Sequence, residues 1–111
     1  MLIEVTTFRL AEGTDEDALL AADRAVQAEL SSREGFLRRT TARDGRSWLV
    51  ITLWQATADA DHSRQTPMED PAARAFGEMA AAAGQETKRY VSLGCARLTA
   101  GRERAGCARG R

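Results

Sequence analysis

The sequence predicts an α+β fold: a four-stranded antiparallel sheet with its helices packed on one face. Three observations carry this. Residues 47–55, SWLVITLWQ, are apolar at nearly every position and rich in β-branched and aromatic side chains, without Gly or Pro. Such a stretch reads as a central strand covered on both faces. Asp44-Gly45, directly before it, is a hairpin signal, so the strand that precedes the turn is an antiparallel neighbour. Stretches of helical period then follow the first and third strand patterns, giving the order β-α-β-β-α-β, the ferredoxin-like arrangement.

The first strand is residues 2–10, with Ile3, Val5 and Thr7 on one side and Glu4, Thr6 and Phe8 on the other. Ala11-Glu12-Gly13 is a turn. Thr14 is expected to cap a helix whose first turn holds Asp15, Glu16 and Asp17, where the helix dipole favours acids. Its apolar stripe is Leu19, Ala22, Val26 and Leu30; the helix is expected to run to about Ser32, with Gly35 as the stop. The second strand is residues 36–43. After the central strand, Thr57 caps a short helix over 58–65 that Pro67 ends. Asp70-Pro71 starts another, with Ala72, Phe76, Met79 and Ala83 as its stripe and Gly84 at its close. Residues 87–93 are the last strand.

Right-handed crossovers place both helical regions on one face of the sheet, with strands one and three central. The other face keeps half of the strand side chains, many of them apolar, and a second copy packed sheet to sheet would cover them. Within the central strand the two rows differ. Leu49, Ile51 and Leu53 look like packing, whereas Trp48, Val50, Thr52 and Trp54 look like a cavity wall that is also core. Buried indole N–H groups there need partners.

The 111 residues suit one domain, 1–94, followed by a tail. Sixteen basic and sixteen acidic residues cancel, so there is no global basic field for nucleic acid. Arg97, Arg102, Arg104, Arg109 and Arg111 concentrate positive charge in 95–111, which is expected to be a disordered tail rather than a nucleic-acid or membrane arm. No apolar run approaches a membrane span, and the chain enters a strand pattern at once, which predicts no signal peptide. Cys95 and Cys107 make no disulfide framework and fit a reducing cytoplasm. The glycines form no phosphate-binding loop.

Three stretches together resemble a known family. They are residues 5–14 (VTTFRLAEGT), 34–37 (EGFL) and 49–54 (LVITLW) before an Ala-rich helix. The pattern is similar to the antibiotic-biosynthesis monooxygenase-like group of the dimeric α+β barrel superfamily. The resemblance covers about residues 1–94. It implies a homodimer whose two sheets form a barrel, and a ligand cavity in each subunit between sheet and helices. It also implies chemistry on a small organic molecule, ranging over cofactor-free oxidation of phenolic or polyketide-type substrates, haem degradation and cyclisation. The cofactor-free oxygenases use an Asn and a Trp on the third strand. Trp54 matches the Trp, and Val50 stands where the Asn would be. An Arg on the second helix falls on Arg74. The haem degraders' Asn, Trp and His fall on Thr6 or Thr7, about Ser63 and about Phe76, so haem degradation is disfavoured.

Trp54, His62 and Arg74 are therefore the catalytic candidates, and Thr6, Thr7, Trp48, Thr52, Phe76 and Tyr90 the substrate-binding ones. His62, the only histidine, is read either as a general base in the cavity, a role imidazole side chains commonly fill, or as a solvent-facing residue. Arg74 would hold a substrate anion, or is a solvated helix residue. Glu4 and Arg38 are expected to pair across the sheet or dimer. No metal-ligand spacing is present, and no metal, haem or flavin is expected. The function expected is a cofactor-independent monooxygenase acting on a small aromatic molecule; the alternatives are a cyclase or isomerase of the same fold, and a non-catalytic binder.

Overall fold

The computed structural model describes residues 1–94; the expected tail, with Cys95 and Cys107, lies outside the described residues. The elements are β1 Leu2–Arg9, α1 Glu16–Leu30, β2 Phe36–Asp44, β3 Ser47–Trp54, α2 Thr57–Gln65, α3 Pro71–Ala82 and β4 Glu86–Val91. The four strands form one antiparallel sheet in the order β2-β3-β1-β4, so β3 and β1 are central, as expected.

The hairpin sets the register. Asp44 pairs with Ser47, leaving Gly45 and Arg46 as a two-residue loop with Gly45 at φ +64°. Loop length fixes register, and register fixes which face each side chain takes. Thus Thr41 lies opposite Val50 and Arg39 opposite Thr52. An irregularity between Phe36 and Arg38 then keeps Phe36 beside Trp54, edge to face at 5.7 Å between ring centroids.

All the helices cover one face. Leu2 and Phe8 from β1 and Trp48, Val50 and Trp54 from β3 are buried there with Leu19, Val26 and Leu30 of α1 and Phe76 of α3. Burial of each such side chain stabilises the fold by about 1.5–3 kcal/mol. The opposite face is open. Its rows are Ile3 and Val5 from β1 and Leu49, Ile51 and Leu53 from β3, all half-buried, with Tyr90 of β4 opposite Ile3 and 47% exposed. The central strand is therefore covered on one face only within the single chain. The mixed row went under the helices, and the aliphatic row faces out.

The element ends differ from expectation for local reasons. Asp15, not Thr14, caps α1: its carboxylate accepts the Ala18 N–H at 3.1 Å, while the Thr14 hydroxyl donates back to the Ala11 carbonyl. The helix stops at Leu30 because the Ser31 and Ser32 hydroxyls take up the carbonyls of Ala28 and Glu29. Gly35 lies beyond that end. At φ +80° it turns the chain into β2, its carbonyl accepts the Gln55 N–H at 2.8 Å, and a Cβ there would run into the Asp59 side chain. Thr57 is the first residue of α2, not its cap; Ala56 is the cap and makes no side-chain bond. Asp70 caps α3 as expected, but the buried stripe is Ala73, Phe76 and Ala80, so Ala72 faces solvent and Met79 and Ala83 pack only at its edge. The last strand is 86–91, not 87–93.

Candidate functional site

The register builds one row of polar and charged side chains across the covered face of the sheet. Arg39 of β2 lies opposite Thr52 of β3, Thr52 opposite Glu4 of β1, and Glu4 opposite Arg89 of β4. Above this row is a cavity of about 340 Å³ between the sheet, α1, α2 and the segment joining α2 to α3. Glu4, Thr6, Arg39, Thr52 and Trp54 contribute to it from the sheet, and Arg64 and Met68 from the other side. That volume lies at the lower end of the range for small-molecule pockets.

Most polar groups in the row are held, the exceptions among the described residues being the Thr52 hydroxyl, Arg39 Nη1 and the buried Arg89 Nη2. The Trp54 indole N–H donates to Glu4 Oε1 at 3.1 Å, and Trp54 is only 2% exposed. Glu4 Oε2 accepts from Arg89 Nε at 3.0 Å and Arg64 Nη2 at 3.2 Å. Arg89 in turn donates to Asp61 at 2.7 Å, which with Glu4 raises the guanidinium pKa further and keeps it charged at every working pH. At the other end, Asp23 of α1 is 3% exposed and accepts from Arg39 Nε at 3.1 Å, Arg39 Nη2 at 2.7 Å and the Thr41 hydroxyl at 3.0 Å. Gln27 donates to its second oxygen. The Arg39 guanidinium lies 5.0 Å above the Phe76 ring. A buried charge survives when it is paired and fully hydrogen-bonded, and Asp23 meets that condition.

The roof is clamped to α1. Arg33 donates to the carbonyls of Ser63, Thr66 and Pro67, and Glu29 accepts the backbone N–H groups of Glu69 at 2.7 Å and Asp70 at 3.1 Å. Those two N–H groups, more than Arg33, hold the Glu29 carboxyl below its ordinary value of 4.5. A lowered carboxyl contributes stability that is present above its ordinary pKa and lost as pH falls through the folded value. The clamp should therefore open in acid. Hydrogen exchange at the Glu69 and Asp70 amides is expected to speed up, relative to intrinsic rates, below about pH 4.5, and in Glu29→Gln to be fast at neutral pH as well; protection independent of both would contradict this.

Of the expected substrate-binding residues, Thr6 and Thr52 line this cavity, and so does the catalytic candidate Trp54. Phe76 adjoins it beneath Arg39, edge to face with Phe8. Thr7 and Tyr90 are not part of it, since register places both on the open face. Trp48 sits at the other end, stacked on Phe8 at 6.1 Å, where a second concavity of about 600 Å³ includes Arg9, Arg43 and Gly84; its indole N–H has no partner among the described residues. His62 is exposed, because α2 turns Ala60 and Ser63 inward and the two residues between them, Asp61 and His62, outward. Arg74 is exposed too, and donates to the carbonyls of Met68 and Glu69. Glu4 pairs with Arg89 and Arg64; Arg38, opposite Leu53, is on the open face.

Sequence reasoning missed Asp23, Arg39 and Arg89. Asp23 carried a signal: it is four residues after Leu19 and three before Val26, an acid on an apolar stripe. Among the described residues no cluster of three or more His, Cys, Asp or Glu is placed to hold a metal ion, and no helix is long and apolar enough to cross a membrane.

The fold is a ferredoxin-like α+β sheet with its helices on one face and a cavity between the two. The chain belongs to the antibiotic biosynthesis monooxygenase family, whose model matches residues 1–87. No curated protein matches the sequence closely enough to count as a relative. Among solved structures, SnoaB, a cofactor-independent oxygenase from Streptomyces nogalater, is similar in fold. A mutant form gives a TM-score of 0.71 at 16% identity, covering 85% of this chain and 94% of that one. A second SnoaB structure gives 0.68 at 18%, covering 91% and 97%. A conserved protein from Methanosarcina mazei gives 0.65 at 11%, covering 81% and 91%.

Proposed function

We propose that this chain is a homodimeric, cofactor-independent monooxygenase-like enzyme that oxidises a small aromatic or polyketide-type molecule in the cavity beside Trp54. The observation that carries the reading is the polar row Arg39–Thr52–Glu4–Arg89 beneath a cavity that also has Trp54, Val26, Leu30 and Met68 in its wall, in a chain of this family. A pocket that pairs an aromatic and aliphatic wall with hydrogen-bonding side chains suits a small organic substrate that carries oxygen functions. Cofactor-free oxidation asks little covalent chemistry of the protein. The substrate gives up a proton, its anion passes one electron to dioxygen, and the resulting radical pair combines to a hydroperoxide that loses water to leave a ketone. The protein's share is to hold and stabilise the anion in a site that excludes water.

The half-buried aliphatic row Leu49, Ile51 and Leu53 supports a second copy packed on the open face. A non-catalytic binder is the second reading. It is favoured by Val50 at the position of the oxygenases' Asn and by the Trp54 N–H being already taken by Glu4.

The test is oxygen uptake by metal-stripped protein with a hydroxyanthrone. One dioxygen consumed per ketone formed is expected, with the rate lowered at least tenfold in Trp54→Phe and unchanged in His62→Ala and Arg74→Ala. Binding without uptake would leave the binder; turnover without oxygen would indicate a cyclase or isomerase.

A further inference from the structure

Resting on that reading, we infer that the cavity contains a built oxyanion site, formed by the Arg39 Nη1 edge and the Thr52 hydroxyl, that selects a deprotonated hydroxyarene or enol. The Arg39 side chain is only 8% exposed, and two of its three nitrogens are committed to Asp23. One guanidinium face lies over Phe76. Nη1 has no hydrogen-bond partner among the described residues, and Arg39 lines the cavity. The edge left over is therefore the one available to an occupant. Thr52, directly opposite in the register and 6% exposed, lines the same cavity, and its hydroxyl has no side-chain partner among the described residues.

Donor geometry, more than net charge, decides what the site takes. Asp23 cancels the Arg39 charge but engages only the Nε and Nη2 side of the fork, so Nη1 keeps its donors. Glu4 would repel an anion: it is one strand spacing, roughly 5 Å, from Thr52 and two, roughly 10 Å, from Arg39. Its charge is offset by Arg64 and Arg89. The row thus has an Arg39 end with N–H donors to spare for an oxyanion and a Glu4 end that holds the Trp54 indole. A flat aromatic laid across it would place its anionic oxygen at Arg39 and its rings toward Trp54. Arg39 and Thr52 bind the substrate directly: they hold the anion from which the electron leaves.

A nitronaphthol, whose naphtholate is coloured, and its methyl ether are the probes. Wild type is expected to bind the naphtholate at least tenfold tighter than the ether and to lower the apparent pKa of the bound naphthol by about one unit or more. Thr52→Val, isosteric and without the hydroxyl, should reduce that preference. Arg39→Lys, which keeps a charge for Asp23 but no second arm, should abolish the pKa change while thermal unfolding shows the fold intact. If Arg39→Lys fails to fold, Thr52→Val and the wild-type preference still decide the matter. Equal binding of both probes with no pKa change would overturn the oxyanion site alone. Binding of neither would overturn it together with the cavity as a substrate site.

Discussion

Asp23→Ala is expected to destabilise the fold by about 3–5 kcal/mol, the cost of leaving a buried charge without its partner. The variant removes the acceptor of both Arg39 donors and of the Thr41 hydroxyl, while Arg39 remains only 8% exposed. For a domain of this length the melting temperature should fall by about 15 °C or more. Asp23→Leu combined with Arg39→Met should recover much of that loss, because replacing both members of a buried pair by packed apolar side chains is often neutral or stabilising. The same double variant should lose the preference for an anionic ligand. A fall of only a few degrees in Asp23→Ala would show that water reaches the pair and that the cavity is more open than the burial of these residues implies.

Ile51→Glu is expected to turn a dimer into a monomer. Ile51 is at the middle of the open face, between Val5 of β1 and Thr40 of β2 in register. In a two-fold assembly each substitution occurs twice, so two carboxylates would be trapped between apolar sheets, each costing several kcal/mol. Sedimentation of wild type at micromolar concentration should give twice the chain mass, Ile51→Val should keep it, and Ile51→Glu should give the single chain with an intact fold. A wild-type monomer would remove the proposed barrel, and a dimeric Ile51→Glu would place the contact elsewhere.

The fold was legible because its signals are local. The apolar run before Trp54, the Asp44-Gly45 turn and the Leu19–Leu30 stripe each name one element, and the right-handed crossover rule orders them. The site was only partly legible. Trp54, Thr52 and Thr6 follow from strand parity once the faces are assigned. Arg39 also follows from parity, since a two-residue hairpin that pairs Asp44 with Ser47 pairs Arg39 with Thr52. It was overlooked because an Arg on a strand reads as solvated until its partner is known, and Asp23 comes from another element. His62 and Arg74 lie outside the cavity for the opposite reason: their chemistry suits the reaction, but helix phase turns Ala60 and Ser63 of α2 and Ala73 and Phe76 of α3 inward and these two side chains out. Thr7 and Tyr90 fell on the open face by the same parity that placed Thr6 within.

The central claim is that a flat anionic ligand binds in the cavity beside Trp54. With two tryptophans in the chain, the indole N–H region of an isotope-labelled sample holds two side-chain signals, assignable with Trp48→Phe and Trp54→Phe. Titration with the nitronaphthol is expected to move the Trp54 indole signal, whose donor is held by Glu4 at the cavity wall, and to leave that of Trp48 in place. Movement of Trp48 with Trp54 unchanged would put the ligand in the concavity at the hairpin end of the sheet and contradict the account.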